Sequence, residues 1–257
     1  MNTTDVIDTR DGAPARAPAS PAYVALIPAA GVGARVAAGS PKQYLAIGAK
    51  PMLRHTVDAF LSSPRIAHTY VVVSGDDPFI DAVLPDAAHA GSRVSVLRCG
   101  GATRMESIRN GLHALRDRVG GDDRVLVHDA ARPGLDAALI ARLIDETGDH
   151  PDGGLLALPV VDTVRRGVKG KAAGTIPRDG LWLAQTPQMF AYGLLCRALD
   201  AATASGADAA SITDDASAVE ALGLAPRLVE GHPRNLKVTL PSDIRIAEMY
   251  LAAGASV

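Results

Sequence analysis

The sequence has only two cysteines in 257 residues, Cys99 and Cys196, with no CxxC pair and no histidine at ligand spacing. That excludes a disulfide framework and a zinc site, and both thiols are expected inside the fold as small apolar groups. An excess of one charge is missing too: 26 Lys plus Arg face 28 Asp plus Glu, a net charge of −2. A nucleic-acid binder working through a basic face is thereby excluded, whereas a local cluster of cations around a small anion is not. No apolar run approaches membrane-spanning length; the longest, Tyr23 to Ala30, is eight residues and contains a proline. No internal repeat is found. The first 21 residues have no apolar h-region and carry Asp5, Asp8 and Asp11, unlike a signal or transit peptide. Residues 1–21 are therefore expected to be a disordered extension on a cytoplasmic protein.

What is present suits a packed globular chain, with 47% hydrophobic and 21% charged residues. Short apolar runs at Tyr23–Pro28, Tyr70–Ser74, Val94–Arg98, Arg124–His128 and Gly154–Pro159 predict strands covered on both faces. Between them, Leu53, Val57, Phe60 and Leu61, then Met105, Ile108, Leu112 and Leu115, recur at helical spacing, and a third helix is expected over about Asp136 to Thr147. Further helices are expected at Ala191–Ser205, Asp214–Leu222 and from Pro241, with a strand at Arg227–Val229. The alternation predicts one α/β domain: a Rossmann-like, mainly parallel sheet with helices on both faces, whose ligands sit beyond the carboxyl ends of the strands. Val160–Gly180 breaks the pattern. Its β-branched residues flank a Gly/Lys turn, so a polar, cationic hairpin is expected to project there as an arm.

The first strand runs into PAAGVGARVAAGSPKQ. Ala29, Ala30, Gly31 and Gly33 let backbone N–H groups come close to a phosphate or base, and Arg35 and Lys42 add charge suited to a triphosphate. A dinucleotide fingerprint fails because Val36 stands where the third glycine belongs, and no P-loop pattern occurs. A nicotinamide dehydrogenase is excluded on that ground. Gly100, Gly101 and Ser107 form a second glycine turn entering a helix. In VHDAARP, Asp129 falls at a strand's carboxyl end, where it suits Mg²⁺ on phosphate oxygens or caps the turn. Arg132 steadies that loop or meets phosphate, His128 is expected to be a packed strand-end residue, and Trp182 a core residue. Thr213, Asp214 and Asp215 carry a helix N-cap signature.

Taken together, PAAGVGARVAAGSPKQY, GGATRMESIRNGL, VHDAARP, DTV, RDGLWLAQTPQMF, ITDDASAVE and GHPRNLKVT resemble the 2-C-methyl-D-erythritol 4-phosphate cytidylyltransferase family, in order, from about Val24 to Leu251. The resemblance implies a nucleotidyltransferase domain over 22–257 that transfers CMP from CTP to a sugar-alcohol phosphate with Mg²⁺, in non-mevalonate isoprenoid synthesis. It implies that Arg35 and Lys42 stabilise charge at the α-phosphate, and that Gly101 and Ser107 hold the cytosine, while Arg104 braces the loop or reaches the triphosphate. Ala102 departs from the acidic residue often found there. Arg178, Lys237 and Thr163 would hold the substrate phosphate, and Asp162 a substrate hydroxyl or the arm's backbone. The arm, about 160–180, would cross a two-fold axis, making a homodimer with shared sites. A cytidylyltransferase for another polyol phosphate, such as ribitol 5-phosphate, shares this logic of cations. A nucleotide-sensing protein on the same fold would not need both Arg35 and Lys42.

Overall fold

The computed structural model describes residues 20–31, 41–204 and 212–252. Most of the expected extension, along with Gly33 and Arg35, lies outside the described residues. In chain order the elements are β1 (Tyr23–Pro28), a 3-10 turn at Lys42–Tyr44, β2 (Ala46–Ile47), β3 (Lys50–Pro51), α1 (Met52–Ser62), β4 (His68–Val72), α2 (Ile80–Val83) and β5 (Val94–Leu97). Then come α3 (Arg104–Ala114), β6 (Arg124–Val127), α4 (Ala137–Thr147), β7 (Gly154–Pro159), β8 (Val164–Val168) and β9 (Lys171–Ile176). The chain continues through β10 (Trp182–Ala191), α5 (Tyr192–Ala204), α6 (Asp215–Glu220), β11 (Arg227–Glu230) and α7 (Pro241–Ala252).

Seven strands form one sheet in the order β11-β7-β10-β6-β1-β4-β5. Every neighbouring pair is parallel except those made by β10, which runs antiparallel to both β6 and β7. The apolar runs become strands because both faces are covered. Ala25 and Ile27 pack with α1 and α4, whereas Val24 and Leu26 pack with α3 and α5 on the opposite side. Period-2 alternation thus buries every residue of such a run, and a fully buried Leu or Ile contributes about 1.5–3 kcal/mol. Helix starts follow local chemistry. Thr103 and Glu106 make a reciprocal capping box on α3, Asp136 accepts from Leu139 N–H on α4, and Asp214 caps α6 with Ser217.

Three expectations need correcting. β10 is a strand the sequence pattern does not announce, because its middle reads Gln185, Thr186, Pro187 and Gln188. It is nonetheless buried there, its register shifting between Ala184 and Gln188 as the polar side chains turn to internal partners. Trp182 is not core; it stands 38% exposed at the outer end of β10. Cys99 and Cys196 are half-buried against the core rather than enclosed by it. The hairpin does project: β8 and β9 pair only with each other, through a two-residue Lys169-Gly170 turn in which both residues have positive φ. Gly170 takes that conformation at no steric cost, as hairpin turns require.

Candidate active site

The carboxyl ends of β1, β5 and β6 open into a cleft of ≈ 300 Å³. Ala29, Ala30 and Gly31 form one wall, Gly101, Arg104 and Ser107 another, and Lys42, Asp129 and Lys237 complete it. The walls approach because Gly100 has no side chain: a Cβ there would lie 2.3 Å from that of Ala30. Ser107 is buried and its hydroxyl is spent on the loop, donating to the Thr103 carbonyl at 2.9 Å and accepting from Gly101 N–H at 3.1 Å. It therefore fixes the shape of the glycine turn.

Asp129 is the electrostatic centre. Its Oδ1 accepts from Arg104 Nε at 2.8 Å, its Oδ2 pairs with Lys237 Nζ at 2.8 Å, and Arg132 Nε lies 3.8 Å from Oδ2. Burial alone would raise this carboxyl, but Arg104, Lys237 and Arg132 outweigh it and hold Asp129 well below the usual carboxylate range. Arg104 reaches onward to Asp215 Oδ2 at 2.8 Å. Asp215 is 1% exposed, and its burial pushes its carboxyl up against the partial opposition of Arg104. The TDDA signature thus splits: Asp214 caps α6, whereas Asp215 locks Arg104.

The loop under Asp129 is held from below. His128 is fully buried, and burial pushes its imidazole down to about 3, so it stays neutral. Its Nε2–H donates to the Arg132 carbonyl at 3.2 Å, leaving Nδ1 to accept the Thr186 hydroxyl at 2.9 Å. The same Thr186 oxygen accepts Asp129 N–H at 3.0 Å. Arg132 Nη1 donates to the Asn235 carbonyl at 2.8 Å, tying this loop to the segment that carries Lys237. Gln43, next to Lys42, is buried and donates to the Ala29 carbonyl at 2.7 Å. Gln43, Thr186, Gln188 and Asn235 escaped the sequence reading. Each sits among polar or turn-forming neighbours that read as loop, and side-chain partners such as Ala29 for Gln43 and His128 for Thr186 lie 14 and 58 positions away.

Lys42 Nζ donates to the Val238 carbonyl at 3.2 Å, which brings it beside the Lys237 segment. Thr163 and Arg178 do not join this cleft. Both are exposed at the base of the hairpin, where Arg178 donates to the Val161 carbonyl. A second cleft of ≈ 190 Å³ shares Arg104, Asp129 and Lys237 with the first and adds Arg132, Gln185, Thr186, Gln188 and Asp214. The arrangement can receive a polyanion: Arg104, Arg132 and Lys237 gather on Asp129, and Lys42 lines the same cleft. Among the described residues, Asp129 is the only carboxylate lining the larger cleft, and no group of three potential metal ligands occurs. One carboxylate fits Mg²⁺, which keeps its waters and is otherwise carried by substrate phosphates.

A profile of the 2-C-methyl-D-erythritol 4-phosphate cytidylyltransferase family matches residues 23–253. The protein of that name from Dechloromonas aromatica is 47% identical over 234 residues, covering 91% of this chain and 99% of its own. That from Chromobacterium violaceum is 50% identical over 231 residues, covering 90% and 98%. A solved structure described as 4-diphosphocytidyl-2C-methyl-D-erythritol synthase aligns with TM-score 0.78 and 42% identity, over 91% of this chain and 99% of its own. The cytidylyltransferase from Thermus thermophilus aligns with TM-score 0.71 and 34% identity, over 91% and 99%.

Proposed function

This chain belongs to the 2-C-methyl-D-erythritol 4-phosphate cytidylyltransferase family, and from that premise we propose how its two clefts carry out the reaction. The enzyme transfers CMP from CTP to 2-C-methyl-D-erythritol 4-phosphate, giving 4-diphosphocytidyl-2-C-methyl-D-erythritol and pyrophosphate. An oxygen of the substrate phosphate attacks the α-phosphorus of CTP in line, and the bond to the bridging oxygen of pyrophosphate breaks. Both reactants are anions, so catalysis rests on positioning and on neutralising charge as it develops.

The larger cleft takes the nucleotide. Ala30 and Gly31 present backbone N–H groups to the phosphates, the Ala29 N–H being spent on the Val72 carbonyl, and Gly101, shaped by Ser107, faces the base. Lys42 meets the α-phosphate, a role proposed for Arg35 as well, and Gly33 is proposed to add a backbone N–H to the phosphates. The smaller cleft takes the sugar alcohol, since it adjoins the larger one and shares with it Lys237, a cation for the substrate phosphate. Lys237 and Arg104 stand on the shared wall, and the observation that carries this reading is their convergence on Asp129 in a cleft that Lys42 also lines. Asp129, with the nucleotide phosphates, would hold Mg²⁺, which supplies charge neutralisation on the triphosphate.

The substrate phosphate needs cations that this cleft does not supply alone. We assign that role to Arg178, with Thr163 adding a hydroxyl, in the site of a second subunit, the hairpin arm of about 160–180 reaching across the two-fold axis of a homodimer. Apolar side chains at the arm support this: Val161 is 72%, Leu183 59% and Trp182 38% exposed. An isolated two-stranded projection is marginal unless something covers it. Residues 22–257 would act as one nucleotidyltransferase domain in the cytoplasm, with 1–21 outside it; no helix among the described residues is long and apolar enough to cross a membrane.

The test is pyrophosphate release from each nucleoside triphosphate paired with methylerythritol phosphate, ribitol 5-phosphate or glycerol phosphate. CTP with methylerythritol phosphate should exceed every other pair by more than about tenfold, a modest demand on a site that hydrogen-bonds its substrate's hydroxyls. Equal turnover with ribitol 5-phosphate would contradict the assignment.

A further inference from the structure

The turn that carries Lys42 cannot hold itself in place. A single 3-10 turn has poor hydrogen-bond geometry and no cooperative length, and Pro41 before it offers no side-chain cap. Two adjacent side chains anchor it instead. Gln43 Nε2 donates to the Ala29 carbonyl at 2.7 Å, and Ala29 N–H donates in turn to the Val72 carbonyl of β4 at 2.7 Å. On the other side, Tyr44 Oη donates to Asp77 Oδ2 at 2.7 Å, and its ring centre lies 5.2 Å from that of Phe79.

Asp77 is a firm anchor. Its Oδ1 accepts the N–H groups of Phe79 and Ile80 at 2.9 and 3.1 Å, and its carbonyl accepts Arg98 Nη1 at 2.9 Å. Burial and this carboxylate push the Tyr44 phenol well up, so it remains a donor. The two residues after Lys42 are thus pinned beyond the ends of two neighbouring strands, β1 and β4. Tyr44 does not line the cleft, so nothing about substrate contact explains its hydrogen bond.

We propose that Gln43 and Tyr44 are positioning residues for the reaction: together they clamp the Lys42 turn to the carboxyl ends of β1 and β4 and so deliver the Lys42 ammonium to the reacting phosphate. The inference rests on the role assigned to Lys42 above. A lysine side chain has four rotatable carbon bonds, so the precision of its ammonium depends on how firmly its backbone is set. Displacements of about 1 Å can cost about a hundredfold in rate.

Tyr44→Phe keeps the ring and removes only the hydrogen bond, so it is the primary probe, with Gln43→Met as the second. Each is made alone and with Lys42→Ala, and turnover, KM for CTP and thermal midpoint are measured with a radiolabelled-CTP assay sensitive enough for the slow variants. Alone, each should lower kcat about tenfold while KM for CTP moves less than about twofold, the pattern of a group that serves the transition state. In the Lys42→Ala background the same substitutions should leave kcat unchanged, because the group they position is gone. Equal losses in both backgrounds would overturn the proposal while leaving Lys42's role intact, and so would full kcat in both single variants. Wild-type turnover of Lys42→Ala itself would remove the premise, and the proposal with it.

Discussion

At the cleft floor, Asp129, Arg104, Asp215 and Lys237 are joined by ion pairs of 2.8 Å, and beneath them His128 and Thr186 spend every ring nitrogen and hydroxyl on the fold. On the β8–β9 hairpin, Arg165, Arg166, Lys169, Lys171 and Arg178 stand exposed, with apolar Val161 and Val168 beside them. The floor is organised within one chain before any ligand arrives. In the proposed homodimer the hairpin would act outside its own chain. An internal network, whose desolvation cost is met by the fold, thus stands against an arm proposed to serve the site of a second subunit.

The sharpest way to break this contrast is to remove one charge from each region. Arg178→Ala should lower turnover by about 10²–10³, typical of losing one group that stabilises developing charge. Its thermal midpoint should stay unchanged, because Arg178 is exposed and surface changes generally stay within about 0.5 kcal/mol. Calorimetry beside a turnover assay checks both halves. Asp129→Asn should fail on both counts. Removing one partner of a buried charged hydrogen bond costs about 1–3 kcal/mol, moderated here because Arg104 keeps Asp215 and Lys237 can reach water. Its Mg²⁺ titration should also shift to higher concentration; a titration superimposable on wild type would remove Asp129 from the metal's surroundings.

The next effect appears only with pH. His128 is held near about 3 in the fold, below its ordinary 6.5, so the unfolded chain binds a proton that the folded chain does not. The stability linked to His128 is thus complete above pH 6.5 and is lost as pH falls toward 3, by about 1.4 kcal/mol per unit. Asp129 works in the same sense at lower pH, its depressed carboxyl adding stability above the usual carboxylate range that is lost on further acidification. Thermal midpoints between pH 4 and 6.5 should fall less steeply for His128→Gln than for wild type; parallel slopes would show that this histidine titrates freely. The smallest effect concerns Leu183→Ser. At 59% exposure it should leave the folding of each subunit nearly untouched, yet promote dissociation on dilution, read by sedimentation velocity.

The same contrast governs what the sequence reveals. β1, β4, β6 and β7 are legible because unbroken apolar runs have one use in a sheet covered on both faces. The glycine turns, Lys42, Asp129 and the α6 cap are legible because their chemistry is local. The path of β10 is not, since Gln185, Thr186 and Gln188 look like loop residues until their buried partners are placed. Nor does local chemistry show that Arg104 is held between Asp129 and Asp215, which lie 25 and 111 positions away. Trp182 misleads for the opposite reason: its size argues for burial, and the single chain leaves it at the surface.

The most direct test of an active site divided between a preformed floor and a borrowed arm is to mix two inactive enzymes, Lys42→Ala and Arg178→Ala, under conditions where subunit exchange is confirmed. If each site takes Lys42 from one chain and Arg178 from the other, a mixed dimer has one site with both lesions and one with neither, and activity returns on mixing. If Arg178 serves the cleft of its own chain, every site keeps one lesion and the mixture stays inactive, which would contradict the account.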